Sequence, residues 1–288
     1  MGNYAVLGGG TMGCGVAQCL AAVGQVVVYE PAAAARGAGP GRVRDGVRLA
    51  RMLRRTGPAP DEVLDRIRWT DRWEQLDAPE FVVECVPERL PLKEKVLRAA
   101  EEHSAPGAVF ASCTSAIPVD HLAGWLGDPG RMIGTHFMNP APLKDAVEVA
   151  RGPRTTEETL RRTTELLTRI GKKAIVVGDA PGFVSNRVLM LTVNEAATVL
   201  HEGTADAATV DEVFRECFGH RMGPLRTADL IGLDTIVDTL LVLLEFTGDP
   251  RFRPSPLLAE LVAAGHLGEK TGRGFHRPRV HEGDSAPA

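Results

Sequence analysis

From Tyr4 to about Val177 the chain alternates short, continuously apolar runs with longer stretches whose apolar residues recur about one helical turn apart. Tyr4–Leu7, Val26–Tyr29, Phe81–Val86, Ala108–Ala111, Met132–Thr135 and Ala174–Val177 read as strands. Most lack polar alternation, the pattern of parallel strands buried on both faces. Met12–Val23, the charged stretch Arg44–Arg55, Leu92–His103 and Glu157–Ile170 read as helices; Leu92, Val96, Leu97 and Ala100 illustrate the spacing. This alternation predicts an α/β domain whose parallel sheet is covered on both faces.

The pattern changes after Gly178. Pro181 and Gly182 punctuate the chain, no strand is expected beyond them, and Phe183–Leu200, Ala208–Phe218, Leu233–Phe246 and Pro256–Ala264 read as helices. The expected organisation is therefore a Rossmann-type α/β domain over 1–180 followed by an all-α domain over 181–288, both of ordinary domain size. Ala32–Arg42, with Gly37, Gly39, Pro40 and Gly41, is expected to be a flexible loop, and the tail from Pro278 to Ala288 to be frayed. The segment Ile231–Phe246 carries Leu240, Leu241, Val242, Leu243 and Leu244 in succession. A helix apolar all round needs cover on more than one side, which a small domain supplies poorly, so a homodimer is expected.

Composition narrows the function classes. Of 288 residues, 33 are Lys or Arg and 37 Asp or Glu, a net charge of −4, and aromatics make up 5%. A general nucleic-acid binder would show a basic excess, and a stacking platform more aromatics. The five cysteines, Cys14, Cys19, Cys85, Cys113 and Cys217, are scattered with no C-x-x-C, so they suggest free thiols in a reducing compartment and no metal centre. The opening MGNYAVLGGG lacks the basic segment of a secretory signal, and no apolar run approaches a membrane span, so a cytoplasmic protein without membrane contact is expected.

Gly8-Gly9-Gly10-Thr11-Met12-Gly13 fits G-x-G-x-x-G between a strand and a helix. Gly8 permits the tight turn, Gly10 lets backbone approach a pyrophosphate, and Gly13 allows close helix–strand packing, while the helix N-terminus at Thr11 and Met12 faces the phosphates. About twenty residues on, Glu30 ends the second strand, where a carboxylate binds a ribose diol and repels a 2′-phosphate. NAD is therefore the expected cofactor, and Arg36, within the expected loop, is the weaker reading for NADP.

Three segments place polar groups where strands end: Ser112–Ser115, His136–Pro140, and Glu148 in the run Ala146–Val149. Oxidising an alcohol needs a base near neutral pH, which suits His136, and Glu148 is suited to hold its other ring nitrogen. Spacing alone fits equally a packed core histidine and a solvated strand-end glutamate.

The runs VLGGGTMGCG at Val6–Gly15, HFMNPAP at His136–Pro142, PGFVSNR at Pro181–Arg187, MGPLRTADLIGLDT at Met222–Thr235 and AGHLGEKTGRGF at Ala264–Phe275 together resemble the short-chain L-3-hydroxyacyl-CoA dehydrogenase family. The resemblance implies a Rossmann-type domain, a helical domain that dimerises, and hydride transfer between NAD and an L-3-hydroxyacyl thioester. It makes His136 the base, Glu148 its partner, and Ser115 and Asn186 the groups that hold the reacting oxygen. It places Glu30 on the ribose, Glu88 and Lys93 near cofactor and substrate, and Asn139 as a brace for the histidine loop. Arg54 and Arg55 stand where the family has lysines for the CoA moiety. Two departures are Ser112-Cys113-Thr114-Ser115-Ala116 where the family often reads S-N-T-S-S, and HFMNP for HFFNP. An acyl-CoA is the leading substrate class. The alternatives are a short hydroxyacyl group on an acyl carrier protein, as in polyketide precursor supply, a free sugar acid of the L-gulonate type, and a non-catalytic NAD-binding relative.

Overall fold

A computed structural model describes residues 2–53 and 57–276, so Arg54, Arg55 and the tail from Pro278 lie outside the described residues. The chain divides into two compact units, Met1–Phe183 and Val184–Ala288.

In the first unit β1 (Gly2–Leu7), α1 (Thr11–Leu20), β2 (Gly24–Tyr29), α2 (Ala33–Met52), α3 (Pro60–Leu64) and β3 (Ile67–Thr70) build one side of an eight-stranded sheet. β4 (Phe81–Glu84), α4 (Leu90–Glu102), β5 (Val109–Ser112), α5 (Val119–Ala123), β6 (Met132–Phe137), β7 (Ala146–Arg151), α6 (Glu157–Arg169) and β8 (Lys173–Gly178) complete it. The strand order is β3-β2-β1-β4-β5-β6-β7-β8. The chain thus reverses its direction of winding between β3 and β4, and the carboxyl end of β1 lies at the switch point where open α/β sheets bind ligands. Val6, Val28, Val83, Ala111 and Ile133 from five neighbouring strands belong to one buried core, closed on one side by Val16, Ala17 and Leu20 of α1.

The sheet is not parallel throughout, as the apolar runs had suggested. β6 pairs with β7 antiparallel, and β7 with β8 parallel, so the last two strands run against the other six. The cause is the short return from Phe137 to Ala146, which holds only a 3-10 turn over Ala141–Leu143, too little chain for the crossover a parallel pair needs. Strands β3 and β7, unassigned in the sequence reading, also appear, β3 as a four-residue edge beside β2.

Ala32–Arg42 is a second correction. It is the first half of the twenty-residue helix α2, with Pro40 inside it. Packing overrides the weak intrinsic propensity of this glycine-rich stretch. Gly39 lies flat against the ring of Trp69, where any Cβ would overlap the indole, and Val43 and Val47 are buried below it. Arg36 pins the first turns, donating to the Glu30 carbonyl at 2.8 Å and pairing with Asp71 at 2.9 Å.

The second unit is helical: α7 (Ser185–His201), α8 (Ala207–Glu216), α9 (Pro224–Ile231), α10 (Leu233–Thr247) and α11 (Pro256–Ala263). Two carboxylates, on α8 and α9, tie together α8, the start of α9 and residues 275–276. Asp211 accepts from the Leu225 and Arg226 amides and the His276 ring, and Asp229 accepts from the Phe275 and His276 amides. The apolar run of α10 buries Leu233, Ile236, Leu240 and Leu243 and leaves Leu241 about half exposed. Among the described residues no helix is long and apolar enough to cross a membrane.

Candidate active site

The glycine turn has the geometry that its sequence demands. Gly8 has φ +103°, its amide donates to the Tyr29 carbonyl at 2.9 Å, and a side chain there would press on the Cys85 carbonyl. A Cβ on Gly13 would overlap the Gly8 carbonyl oxygen, so the first turn of α1 can lie against the strand end only with glycine there. Gly10 meets nothing, and it begins α1 without a side-chain cap, leaving an open, amide-lined approach at Thr11 and Met12. This fits the pyrophosphate of a dinucleotide.

Beside the turn, the Glu30 carboxylate accepts from the Gly9 amide at 2.8 Å and the Ala32 amide at 2.9 Å. Its negative charge is therefore held at the mouth of the loop. Arg36, the competing ligand for a 2′-phosphate, is engaged by Asp71 and by two carbonyls.

His136 and Glu148 face each other directly across the antiparallel β6–β7 pair. Their side chains are 7% and 8% exposed, with His136 Nδ1 3.0 Å from Glu148 Oε2. The one antiparallel junction in the sheet thus builds the pair, because directly opposed residues of such a ladder point to the same face. Nδ1 is thereby committed to the carboxylate. Phe183 packs with its ring centroid 6.1 Å from the imidazole.

A second charged cluster occupies the ends of β4 and β5. Lys93 of α4 is 1% exposed, and its ammonium sits 2.9 Å from both oxygens of Glu84 and 3.0 Å from Glu88. Glu84, fully buried, also accepts from Ser112 Oγ at 2.5 Å and the Val86 amide at 2.7 Å. Glu88 accepts from the Thr114 hydroxyl and the amides of Ser115 and Ala116. Burial alone would raise the Glu88 carboxyl, but the Lys93 charge and these hydrogen bonds hold it below its ordinary value. Burial opposes the Lys93 charge too, yet the two carboxylates raise its titration above the usual lysine range.

The first unit thus brings the glycine turn, Glu30, Glu88, Ser115 and His136 to the carboxyl ends of its parallel strands, with Glu148 opposite His136. Lys93 is enclosed by carboxylates, so it acts on its surroundings through Glu88. Asn139 is exposed and lines a cleft of about 340 Å³ with Thr11, Arg42, Leu49 and Leu143. The bracing expected of Asn139 comes instead from the buried Lys172, whose ammonium donates to the carbonyls of Ala141, Pro142 and Lys144. Asn186 stands in the first turn of α7, in the second unit. Glu84 and Lys172 escaped the sequence reading. Glu84 was signalled only by an acid inside the apolar run Phe81–Val86, and Lys172 by nothing but its place before β8. Among the described residues no group of three or more His, Cys, Asp or Glu is arranged to hold a metal ion.

Comparison with known proteins agrees over nearly the whole chain. Residues 3–180 match the NAD binding domain of 3-hydroxyacyl-CoA dehydrogenase, and residues 182–277 match its C-terminal domain. A probable 3-hydroxybutyryl-CoA dehydrogenase of Deinococcus radiodurans is 39% identical over 96% of this chain and 99% of that protein. One from Bacillus subtilis is 40% identical over 94% of this chain and 95% of its own length. The crystal structure of (S)-3-hydroxybutyryl-CoA dehydrogenase from Ralstonia eutropha superposes with a TM-score of 0.88 at 37% identity, covering 96% of this chain and 98% of that one. A chain matched in both domains, in order and at this identity belongs to the 3-hydroxyacyl-CoA dehydrogenase family.

Proposed function

We propose that this protein is an NAD-dependent dehydrogenase that interconverts an L-3-hydroxyacyl-CoA of short chain and its 3-oxo form. The observation that carries the reading is the buried His136–Glu148 pair, with His136 near the carboxyl end of β6 as the glycine turn is at that of β1. When bound, NAD supplies the hydride acceptor. The protein's own residues do the rest. His136 takes the hydroxyl proton on Nε2 as the carbonyl forms and returns it in the reverse direction, while Glu148 orients the ring and stabilises the imidazolium. Ser115 and Asn186 hold the reacting oxygen, and Asn139 contacts the substrate. Gly8, Gly10, Thr11, Met12 and Gly13 hold the pyrophosphate and Glu30 the ribose. Glu88, fixed by Lys93, orders the Ser115 loop beside them.

The relatives above are named for CoA-linked substrates, which favours that carrier over an acyl carrier protein, a free sugar acid or a non-catalytic role. Arg54 and Arg55 are proposed to hold a CoA phosphate. Residues 1–180 serve as the cofactor domain and residues 181–288 as the substrate and dimerisation domain, in a cytoplasmic homodimer. Exposed Val184, Val188, Phe218, Leu230 and Leu241 in the helical unit favour a self-associating surface there. Light scattering at micromolar concentration tests it, and a monomeric mass refutes it.

The deciding assay follows NADH formation with L-3-hydroxybutyryl-CoA, the same acyl group on a carrier protein, and free hydroxy acids. Preference for the CoA thioester is expected. Faster turnover of the carrier-bound or free substrate would displace this reading, and no turnover with any of them would leave only an NAD-binding relative.

A further inference from the structure

The sulfurs of Cys85 and Cys113 lie 3.4 Å apart. The closeness is built into the fold. β4 and β5 are parallel neighbours in the register Phe81↔Val109 through Glu84↔Ser112, so the next pair, one residue beyond the strand ends, is Cys85 opposite Cys113. The pairing continues there, since the Cys113 amide donates to the Glu84 carbonyl at 2.8 Å. Neighbouring strands are spaced about 4.8 Å apart, inside the Cα separation that a disulfide tolerates, and both side chains already point at each other.

The pair stands between the elements of the site. The Cys85 carbonyl is the group that a side chain on Gly8 would strike, and Cys113 precedes Thr114 and Ser115, which bond to Glu88. Neither cysteine has a part in the proposed chemistry. Both are partly buried, while Cys14 and Cys19 are buried and Cys217 is exposed.

We propose that Cys85 and Cys113 are a modification site, forming a reversible intramolecular disulfide on exposure to a peroxide and thereby disabling the active site. Peroxide oxidises the Cys113 thiol to a sulfenic acid, releasing one water. The Cys85 sulfur then attacks that sulfur, its proton leaving with the hydroxyl group as a second water. Two electrons pass from the two sulfurs to the peroxide, and a dithiol reverses the change by exchange. The hydrogen bond to Cys113, together with burial, pushes the Cys85 thiol up, which disfavours it for the first attack on peroxide.

Bond formation brings the sulfurs from 3.4 Å to about 2.05 Å. The strand ends and the loops carrying Glu88 and Ser115 must absorb that movement. A misplacement of about 1 Å is enough to cost about a hundredfold in rate. The effect on turnover rests on the dehydrogenase reading, whereas formation of the bond does not.

The test treats the protein with hydrogen peroxide, then measures free thiols after denaturation, the intact mass, a non-reducing peptide map and turnover. Two of the five thiols are expected to disappear with loss of two hydrogens from a monomeric chain and a cross-link between the peptides holding Cys85 and Cys113. Turnover should fall at least tenfold and return with dithiothreitol. Cys113→Ser and, separately, Cys85→Ser should keep their own activity through the same treatment, two variants guarding against one that folds poorly. All five thiols surviving, or a cross-link mapping elsewhere, would overturn the proposal, as would equal inactivation of Cys113→Ser. A mapped cross-link with unchanged turnover would refute the disabling effect. If the untreated protein turned over no substrate, the function would fall, and the thiol count and map would still judge the bond.

Discussion

Two buried charged clusters stand at the strand ends of the first unit, one built on a lysine between two carboxylates and the other on an imidazole paired with Glu148. Around Lys93, one ammonium meets two carboxylates, and those carboxylates also take hydroxyls and amides from Ser112, Thr114, Val86, Ser115 and Ala116. His136 is joined through Nδ1 to the carboxylate of Glu148. A network answered on every side costs much to disturb and holds its members in one state, which is what a framework needs. An imidazole whose orientation is set by a carboxylate can change its protonation near neutral pH, which is what acid–base chemistry needs. Burial alone does not separate structural from reactive charge.

The contrast is broken or upheld most strongly at His136. His136→Gln is expected to lower turnover by about 10²–10⁴-fold, about 2.7–5.5 kcal/mol of barrier, with NAD affinity and melting temperature near those of the unmodified protein. If turnover falls only in step with melting temperature, the histidine is a packing residue and the distinction between the clusters disappears.

Lys93→Met should show the converse. It leaves Glu84 and Glu88 facing each other in a buried site without their cation, at a cost of about 3–5 kcal/mol in unfolding free energy by denaturant titration. The pH dependence sharpens the point. Because Glu88 is depressed in the folded state, its stabilisation is present at neutral pH and is lost as pH falls through its lowered value. Lys93 is raised, so its contribution is present below the ordinary lysine range and is lost only as pH rises above that range. In Lys93→Met the burial of Glu88 is no longer offset, so acid sensitivity should reach the carboxylate at higher pH, as melting curves against pH would record. Unchanged stability in this variant would show the network to be dispensable.

Glu148→Gln tests the smaller half of the reactive pair. Turnover should drop at least about tenfold, since the ring loses the carboxylate that orients it. Combined with His136→Gln it should add little, because the two act as one unit. Additive losses would mean that Glu148 works separately.

These residues also mark where the sequence was readable. The glycine turn, Glu30 and six of the eight strands were legible because local chemistry dictates them: φ +103° at Gly8 requires glycine, and unbroken apolar runs require burial. His136 and Glu148 were legible as a candidate pair, but the strand pair that joins them was not, because its turning antiparallel is a matter of connection length and not of residue type. The Lys93 network was hidden for the opposite reason. Charged residues ordinarily mark the surface, and only three-dimensional pairing shows that Glu84 and Lys93 are interior. The α2 stretch misled because Gly37, Gly39, Pro40 and Gly41 lack helical propensity, while the ring of Trp69, thirty positions on, makes a glycine at position 39 an advantage.

Glu30 lies between the two extremes and carries the smallest predicted effect. Its carboxylate is fixed by two backbone amides, so it is positioned like a framework charge, yet among the described residues it is in no ion pair. A positioned negative charge acts on what approaches it. At the mouth of the glycine turn it should accept a ribose diol and repel a 2′-phosphate, giving NAD at least about a tenfold advantage over NADP, about 1.4 kcal/mol. Arg36 does not reverse the preference, because Asp71 and the carbonyls of Glu30 and Pro31 already hold it. Glu30→Ala should narrow the gap chiefly by weakening NAD, since the ribose contact disappears along with the repulsion. Calorimetric titration of both nucleotides on both proteins measures it. Equal affinities in the unmodified protein would mean that a carboxylate tied to two amides is already spent, and that the difference between framework and reactive charge does not extend to the cofactor site.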